Sequence, residues 1–262
     1  MRNKLNLMVG LTLLLAVLYS VCPLRAEDED VGKVAQKILS VTGVQGGLVV
    51  HIECGDGRLT EALRVNDRFV VQGLDRDPQD VAKACTFIRA HGEYGKVSVR
   101  QWDGKKLPYV DNSINLLVSE GPLETSSDEA MRVLAPRGVL CIKKDGRWRT
   151  TVKPWPDDID EWPHWRHGPD ANPVANDSVV GPPRHLQWVS EPRWQTHHDM
   201  VPSVTAMVSA GGRVFSIVNE VLPGIRGMPD KWKLVARDAF NGVLLWKRDV
   251  PEWGWEEWST HE

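Results

Sequence analysis

The sequence predicts an α/β domain with a doubly wound parallel sheet over residues of about 31–150, followed by an incomplete all-β segment. Three observations carry that expectation. Between Leu48 and Ile142, short apolar runs alternate with stretches whose apolar residues recur at helical spacing. Beyond Gly181, brief β-type runs are separated by turns bearing glycine, proline or asparagine. Tryptophan divides the chain at the same place: eleven of the 12 Trp residues follow position 147, and Trp102 stands alone before it.

The first segment is a targeting signal by its layout. Residues 1–26 hold Arg2, Lys4 and Arg25 and no acid, then the apolar run Leu7–Val21, then Cys22-Pro-Leu-Arg-Ala26 ahead of Glu27-Asp-Glu-Asp30. This is the pattern of a Sec-type signal peptide cleaved after Ala26, and the run is short for about 30 Å of hydrocarbon. The expectation is export to the periplasm or beyond, with membrane tethering if the segment is retained. No integral membrane domain is expected past it. Cleavage would take the formal net charge from −3 to −6. That balance speaks against a nucleic-acid partner, which needs a basic face. The remaining cysteines, Cys54, Cys85 and Cys141, form neither a disulfide framework nor a zinc pattern and read as small buried hydrophobes.

Within residues 31–150, Val31, Val34, Ala35, Ile38 and Leu39 mark an amphipathic helix. Strands are expected at Leu48–Ile52, Phe69–Leu74, Val97–Gln101, Ile114–Val118 and Val139–Ile142. Helices are expected at Arg58–Leu63, after Pro78 through Val81, Ala84, Cys85 and Ile88, and around Asp128–Leu134. Buried strands alternating with helices imply a parallel sheet covered on both faces. Such sheets bind ligands at the carboxyl ends of their strands. There, Gly55 and Gly57 follow the first strand and Asp75 closes the second. Glycines let the backbone approach a ligand, and a carboxylate can accept from ribose hydroxyls, so the pattern points to an adenosine-containing ligand.

Four stretches carry a resemblance: His51-Ile-Glu-Cys-Gly-Asp-Gly57, Gly73-Leu-Asp-Arg-Asp77, Trp102-Asp-Gly-Lys-Lys-Leu-Pro108 and Glu129-Ala-Met-Arg-Val-Leu-Ala-Pro-Arg-Gly138. In that order, over about 110 residues, they resemble the motifs of the class I S-adenosylmethionine-dependent methyltransferases, a Rossmann-like family. The resemblance implies that Gly55 and Gly57 line the methionine and ribose portion of the cofactor. It implies that Asp75 holds the ribose hydroxyls and that Trp102 and Asp103 flank the adenine. Two registers are open for the glycine-rich loop. In one, His51 stands where the family has an acid and Glu53 where it has the first glycine. In the other, Glu53 is the acid, Gly55 the first glycine, and Leu59 takes the last glycine place. In either, Asn115 replaces the usual Asp of the fourth strand. In the first register Glu53 would lie beside the cofactor's own carboxylate. No catalytic residue is assigned; Glu120 is the nearby carboxylate that could act as a base, and a solvated loop carboxylate is the plainer reading.

Residues 151–180 form a Trp- and Pro-rich linker, as in Lys153-Pro-Trp-Pro-Asp-Asp-Ile-Asp-Glu-Trp-Pro163. After it, strands are expected at His185–Val189, Arg213–Val218 and Val243–Trp246, with Leu234–Ala236 a weaker candidate. Ala236-Arg-Asp-Ala-Phe-Asn-Gly-Val-Leu-Leu-Trp246 is similar to the repeat of the pyrroloquinoline-quinone-type β-propellers, in which an Ala-x-Asp-Ala-x-Thr-Gly run turns a hairpin and a Trp docks between blades. Residues 181–262 then read as a partial propeller with room for one or two blades of about 40–45 residues. On this reading the sequence is a fragment of a longer propeller protein, with too few blades and no calcium ligands for the quinone. His164, His167 and neighbouring acids, or His197-His-Asp199, could be offered as metal ligands, but loop and turn roles are the plainer reading and no metal is expected.

Two functions follow. One is an exported methyltransferase of unknown small-molecule or protein acceptor, joined to a propeller that recruits a partner. The other is a non-catalytic binding or scaffold protein with a degenerate cofactor domain.

Overall fold

In the computed structural model, residues 26–123, 125–179, 186–193, 203–221 and 229–251 are described. The signal segment, His185, His197, His198 and the terminal Trp-rich stretch lie outside them. Helix α1 (Ala26–Thr42) leads into β1 (Gly47–Ile52), α2 (Arg58–Ala62), β2 (Phe69–Asp75), α3 (Pro78–Ala90), β3 (Val97–Gln101), β4 (Ile114–Ser119), α4 (Ser127–Val133), β5 (Leu134–Lys144) and β6 (Arg147–Val152). The sheet order is β3-β2-β1-β4-β5-β6, parallel throughout except for β6, which pairs antiparallel with β5. The result is a Rossmann-like fold.

Side chains alternate across the sheet with the period of two that a strand imposes. Val49 and Val71 face a core completed by Ala35 and Ile38 of α1, Leu59 of α2, and Ala84 and Ile88 of α3. Val50, Ile52 and Leu74 face the opposite core, with Ala130 and Val133 of α4. Each fully buried aliphatic side chain stabilises the fold by roughly 1.5–3 kcal/mol. Local signals set the helix starts. Asp77 accepts from the Gln79 N–H at 2.8 Å, with Pro78 entering α3, and Ser126 accepts from the Glu129 N–H at 3.1 Å. The three cysteines are free, and burial pushes the Cys54 thiol up to about 12 and Cys141 up to about 11.

The second sheet is an antiparallel meander of β7 (Val204–Ala210), β8 (Arg213–Asn219), β9 (Trp232–Asp238) and β10 (Leu244–Asp249), in the order β10-β9-β8-β7. The strand expected at His185–Val189 is not formed among its described residues. Leu186 and Val189 are 85% and 80% exposed, while Trp188 donates through its indole N–H to the Ala239 carbonyl at 2.9 Å. Its ring covers Gly242, where a Cβ would come within 2.5 Å of the indole. Trp188 docks on a turn instead of pairing, and Leu186 and Val189 face solvent. The linker is ordered by the same meander: Trp162 and Ser209 exchange hydrogen bonds, Trp162 N–H to Ser209 Oγ at 2.9 Å and Ser209 N–H to the Trp162 carbonyl at 2.8 Å.

The amino edge of the parallel sheet holds the meander. The Asn115 side chain, at the start of β4, accepts from the Leu48 N–H at 2.8 Å and from the Asn241 amide at 2.7 Å. It donates to Asp238 at 2.8 Å. Gly47 makes room: a Cβ on it would fall 2.0 Å from Asn115 Oδ1. Asp238 and Asn241 belong to the hairpin turn singled out as a propeller repeat, so Asn115 is the residue on which that turn docks.

Candidate functional site

The strand order reverses between β1 and β4, and the carboxyl ends of β1, β2, β3 and β4 converge there. After β1 the backbone enters the left-handed region at alternate residues: φ is 55° at Glu53, 54° at Gly55 and 84° at Gly57. That rhythm selects the first register. Gly57 sits against Ala84, where a Cβ would come within 2.7 Å, whereas Leu59 is a buried residue of α2. Glu53 thus occupies the first glycine place and carries the strain of a left-handed non-glycine, about 1–2 kcal/mol.

The loop closes on Asp75. Its carboxylate, 8% exposed, accepts from the Gly55 N–H at 2.8 Å and the Asp77 N–H at 3.0 Å. Its backbone carbonyl accepts from the Trp102 N–H at 2.8 Å, so the ends of β2 and β3 meet. Glu53 pairs with Arg76 at 2.9 Å, and a Cβ on Gly121, in the loop after β4, would lie 3.9 Å from Glu53 Oε2. The guanidinium offsets the negative charge that Glu53 brings to this edge.

The structure gives Trp102 a role that the sequence reading did not. Its ring is 7% exposed and belongs to the core beneath β1 and β4, with the indole N–H donating to the Lys106 carbonyl at 2.8 Å. A side chain so buried presents no open stacking face. Asp103 is exposed and turns the chain by accepting from the Lys105 N–H at 3.0 Å. Glu120 is half-exposed and lies 3.5 Å from Lys143.

Two supports were not assigned roles in the sequence. His51 is buried, its Nδ1 2.9 Å from the Thr60 hydroxyl and its Nε2 without a partner. Burial lowers its pKa to about 4, against a smaller opposing pull from Asp75, so a neutral imidazole stands where the family has an acid. The second support joins two of the quoted motifs. Arg132 binds Glu129 through two hydrogen bonds of 2.7 Å and donates to the Leu107 and Tyr109 carbonyls, while Glu129 accepts from the Leu107 N–H at 2.8 Å. The Glu-x-x-Arg spacing on α4 therefore clamps the Leu-Pro loop that follows Trp102 and Asp103. Its i, i+3 spacing was the available signal. Among the described residues no group of three or more His, Cys, Asp and Glu side chains could hold a metal. His167 instead pairs with Asp160 at 2.6 Å.

Residues 50–142 match the family model of a methyltransferase domain. That match runs from β1 into β5 and contains every residue of the carboxyl-edge site. An uncharacterised protein of Haemophilus influenzae is 30% identical over 100 residues, 35% of this chain and 40% of that protein. The chain therefore spans about 40% of the length of this curated relative. A SAM-dependent methyltransferase from Aquifex aeolicus is similar at 20% identity, with 45% of this chain and 72% of that chain covered and a TM-score of 0.38. The geranyl diphosphate C-methyltransferase of Streptomyces coelicolor is similar at 14% identity, covering 47% and 52%, with a TM-score of 0.39. Within the residues matched by that family model, the departures from the family pattern now have positions: His51 beneath the loop, Glu53 in it, and Asn115 at the opposite edge.

Proposed function

We propose that this chain binds S-adenosylmethionine at the carboxyl edge of its methyltransferase domain and transfers the methyl group to an acceptor outside the cytosol. The observation that carries the reading is the loop of alternating left-handed residues 53, 55 and 57 closing on the Asp75 carboxylate. Bound cofactor supplies a methyl group activated on a sulfonium. Gly55 and Gly57 let the backbone approach the methionine and ribose portion. Each Asp75 oxygen already accepts one backbone N–H and retains a further lone pair for a ribose hydroxyl. Asp103 is exposed and keeps acceptor capacity beyond the Lys105 N–H for the adenine amino group, with the buried Trp102 beside it in the chain. Alignment of acceptor and methyl group supplies much of such a rate acceleration, so a dedicated base is not required. The meander has the strand number and order of one propeller blade. That supports a blade of a pyrroloquinoline-quinone-type propeller in a longer exported protein, there to recruit a partner.

A second reading, a cofactor domain retained for binding or scaffolding, is favoured by Glu53: a carboxylate stands in the first glycine place and must be offset by Arg76. Calorimetric titration of the whole chain with S-adenosylmethionine separates these readings from a domain that has lost its ligand. Binding is expected, and Asp75→Asn should weaken it by about 1–3 kcal/mol, as for a lost charge-assisted hydrogen bond. No binding at millimolar ligand would overturn the assignment. Binding without formation of S-adenosylhomocysteine with any acceptor would favour the scaffold.

A further inference from the structure

The junction between the two sheets contains a cavity of about 550 Å³, within the range of small-molecule sites. It lies at the amino edge of the parallel sheet, opposite the proposed cofactor site. Arg68, just before β2, Arg137, within β5, and Arg213, at the start of β8, all line it. Some other arginines of the domain pair with carboxylates, Arg64 with Glu93, Arg76 with Glu53 and Arg132 with Glu129. Among the described residues, the guanidiniums of Arg68, Arg137 and Arg213 form no hydrogen bond or ion pair. Arg137 lies over the Trp155 ring at 4.7 Å.

Asp238 also lines the cavity, but its carboxylate already accepts from the Asn115 amide and from the Phe240 and Asn241 N–H groups. Glu161 accepts from the Gly211 N–H at the rim and lines, with Asp160, a neighbouring cavity that Arg137 and Trp155 share, so two carboxylates with backbone donors of their own stand against the three arginines. Like charges gathered around one space repel unless an anion joins them. Guanidinium forks match phosphate and carboxylate oxygens, and a phosphate monoester carries about −1.5 to −2 near neutral pH. Phe240 and Trp246 supply an aromatic wall beside the charges.

We propose that this cavity binds a small phosphate monoester with a planar or apolar portion, the phosphate among Arg68, Arg137 and Arg213 and the remainder against Phe240 and Trp246. Because the arginines come from both sheets, the ligand bridges them and holds the junction closed.

Phenyl phosphate is the probe, titrated calorimetrically into the whole chain, with benzoate as the carboxylate counterpart. Phenyl phosphate should bind, and Arg213→Ala and Arg68→Ala should each weaken binding about tenfold or more. Both arginines are exposed, so the variants should keep the fold, and an unchanged circular dichroism melt without ligand checks this. Arg213→Lys, which keeps the charge but loses the fork, should bind with intermediate affinity. Phenyl phosphate should also raise the unfolding temperature of the native chain more than that of either alanine variant. No heat of binding at about 10 mM, far above any specific affinity, would overturn the site. So would equal affinity in the native chain and the alanine variants. Benzoate binding as tightly as phenyl phosphate would overturn the phosphate assignment. S-adenosylmethionine binding is read separately, so failure of one site does not count against the other.

Discussion

The two edges of one parallel sheet have opposite chemistry. At the carboxyl edge, backbone N–H groups of Gly55 and Asp77 converge on Asp75, and the loop is held open by left-handed residues. At the amino edge, the Asn115 amide is engaged by Leu48, Asp238 and Asn241, and Gly47 brings the strand against it. One edge keeps hydrogen-bonding capacity for a ligand; the other uses it to hold a second sheet. Asn115, read alone as a departure from the methyltransferase pattern, is a docking residue at the edge opposite the proposed cofactor site. The comparison separates departures at the carboxyl edge, His51 and Glu53, from one at the amino edge.

Breaking the amino edge should have the largest effect. Asn115→Leu leaves the Leu48 N–H, the Asn241 amide and the Asp238 carboxylate each short of a partner, and should cost about 3 kcal/mol in denaturant unfolding. Affinity for S-adenosylmethionine should stay within about twofold, because the opposite edge is untouched. A comparable loss of cofactor affinity would show that the edges are not independent.

The carboxyl edge has its own signature in pH. Folded His51 takes a proton only near pH 4, whereas an unfolded imidazole takes it near 6.5. Between those values the unfolded state binds more protons. His51's contribution is therefore complete above pH 6.5 and declines on acidification towards pH 4, by about 1.4 kcal/mol per unit and about 3 kcal/mol in all. His51→Gln should flatten that slope in unfolding measured from pH 7 to 4. An unaltered slope would show that His51 is not the group responsible.

Glu53→Gly should have the smallest effect. It relieves a left-handed side chain and removes a carboxylate from the cofactor's neighbourhood, at the loss of a half-exposed pair with Arg76. S-adenosylmethionine should bind about two- to tenfold more tightly. Weaker binding would mean that Glu53 contacts the ligand favourably, contrary to its placement in a glycine position.

Much of this was legible in the sequence where local pattern and burial agree. The runs beginning at Leu48, Phe69, Val97 and Ile114 are apolar because their strands are covered on both faces, and their limits fell within a residue or two of those observed. Arg147-Trp-Arg-Thr-Thr-Val152 was not legible, because β6 is a mostly exposed edge strand without an apolar face. Val204–Ala210 carried too little pattern by itself and becomes β7 by pairing with β8. Leu186–Val189 misled in the other direction: its apolar residues serve a docked indole and solvent. Of the candidate site, Gly55, Gly57 and Asp75 could be picked out by spacing. The register of Glu53 could not, since each alternative leaves one mismatch and only backbone φ separates them. The Asn115–Asp238 contact joins residues far apart in the chain and has no local signal. Trp102 shows the same limit: its place in the chain suggested a ligand face, while its burial makes it core.

The most direct test of the two-edge account is amide hydrogen exchange of the whole chain with and without S-adenosylmethionine. Protection by the cofactor should concentrate at residues 53–57, 75–77 and 102–105, with exchange at 46–48, 113–115 and 238–242 unchanged. Protection at the amino edge, or none at the carboxyl edge at saturating cofactor, would contradict it.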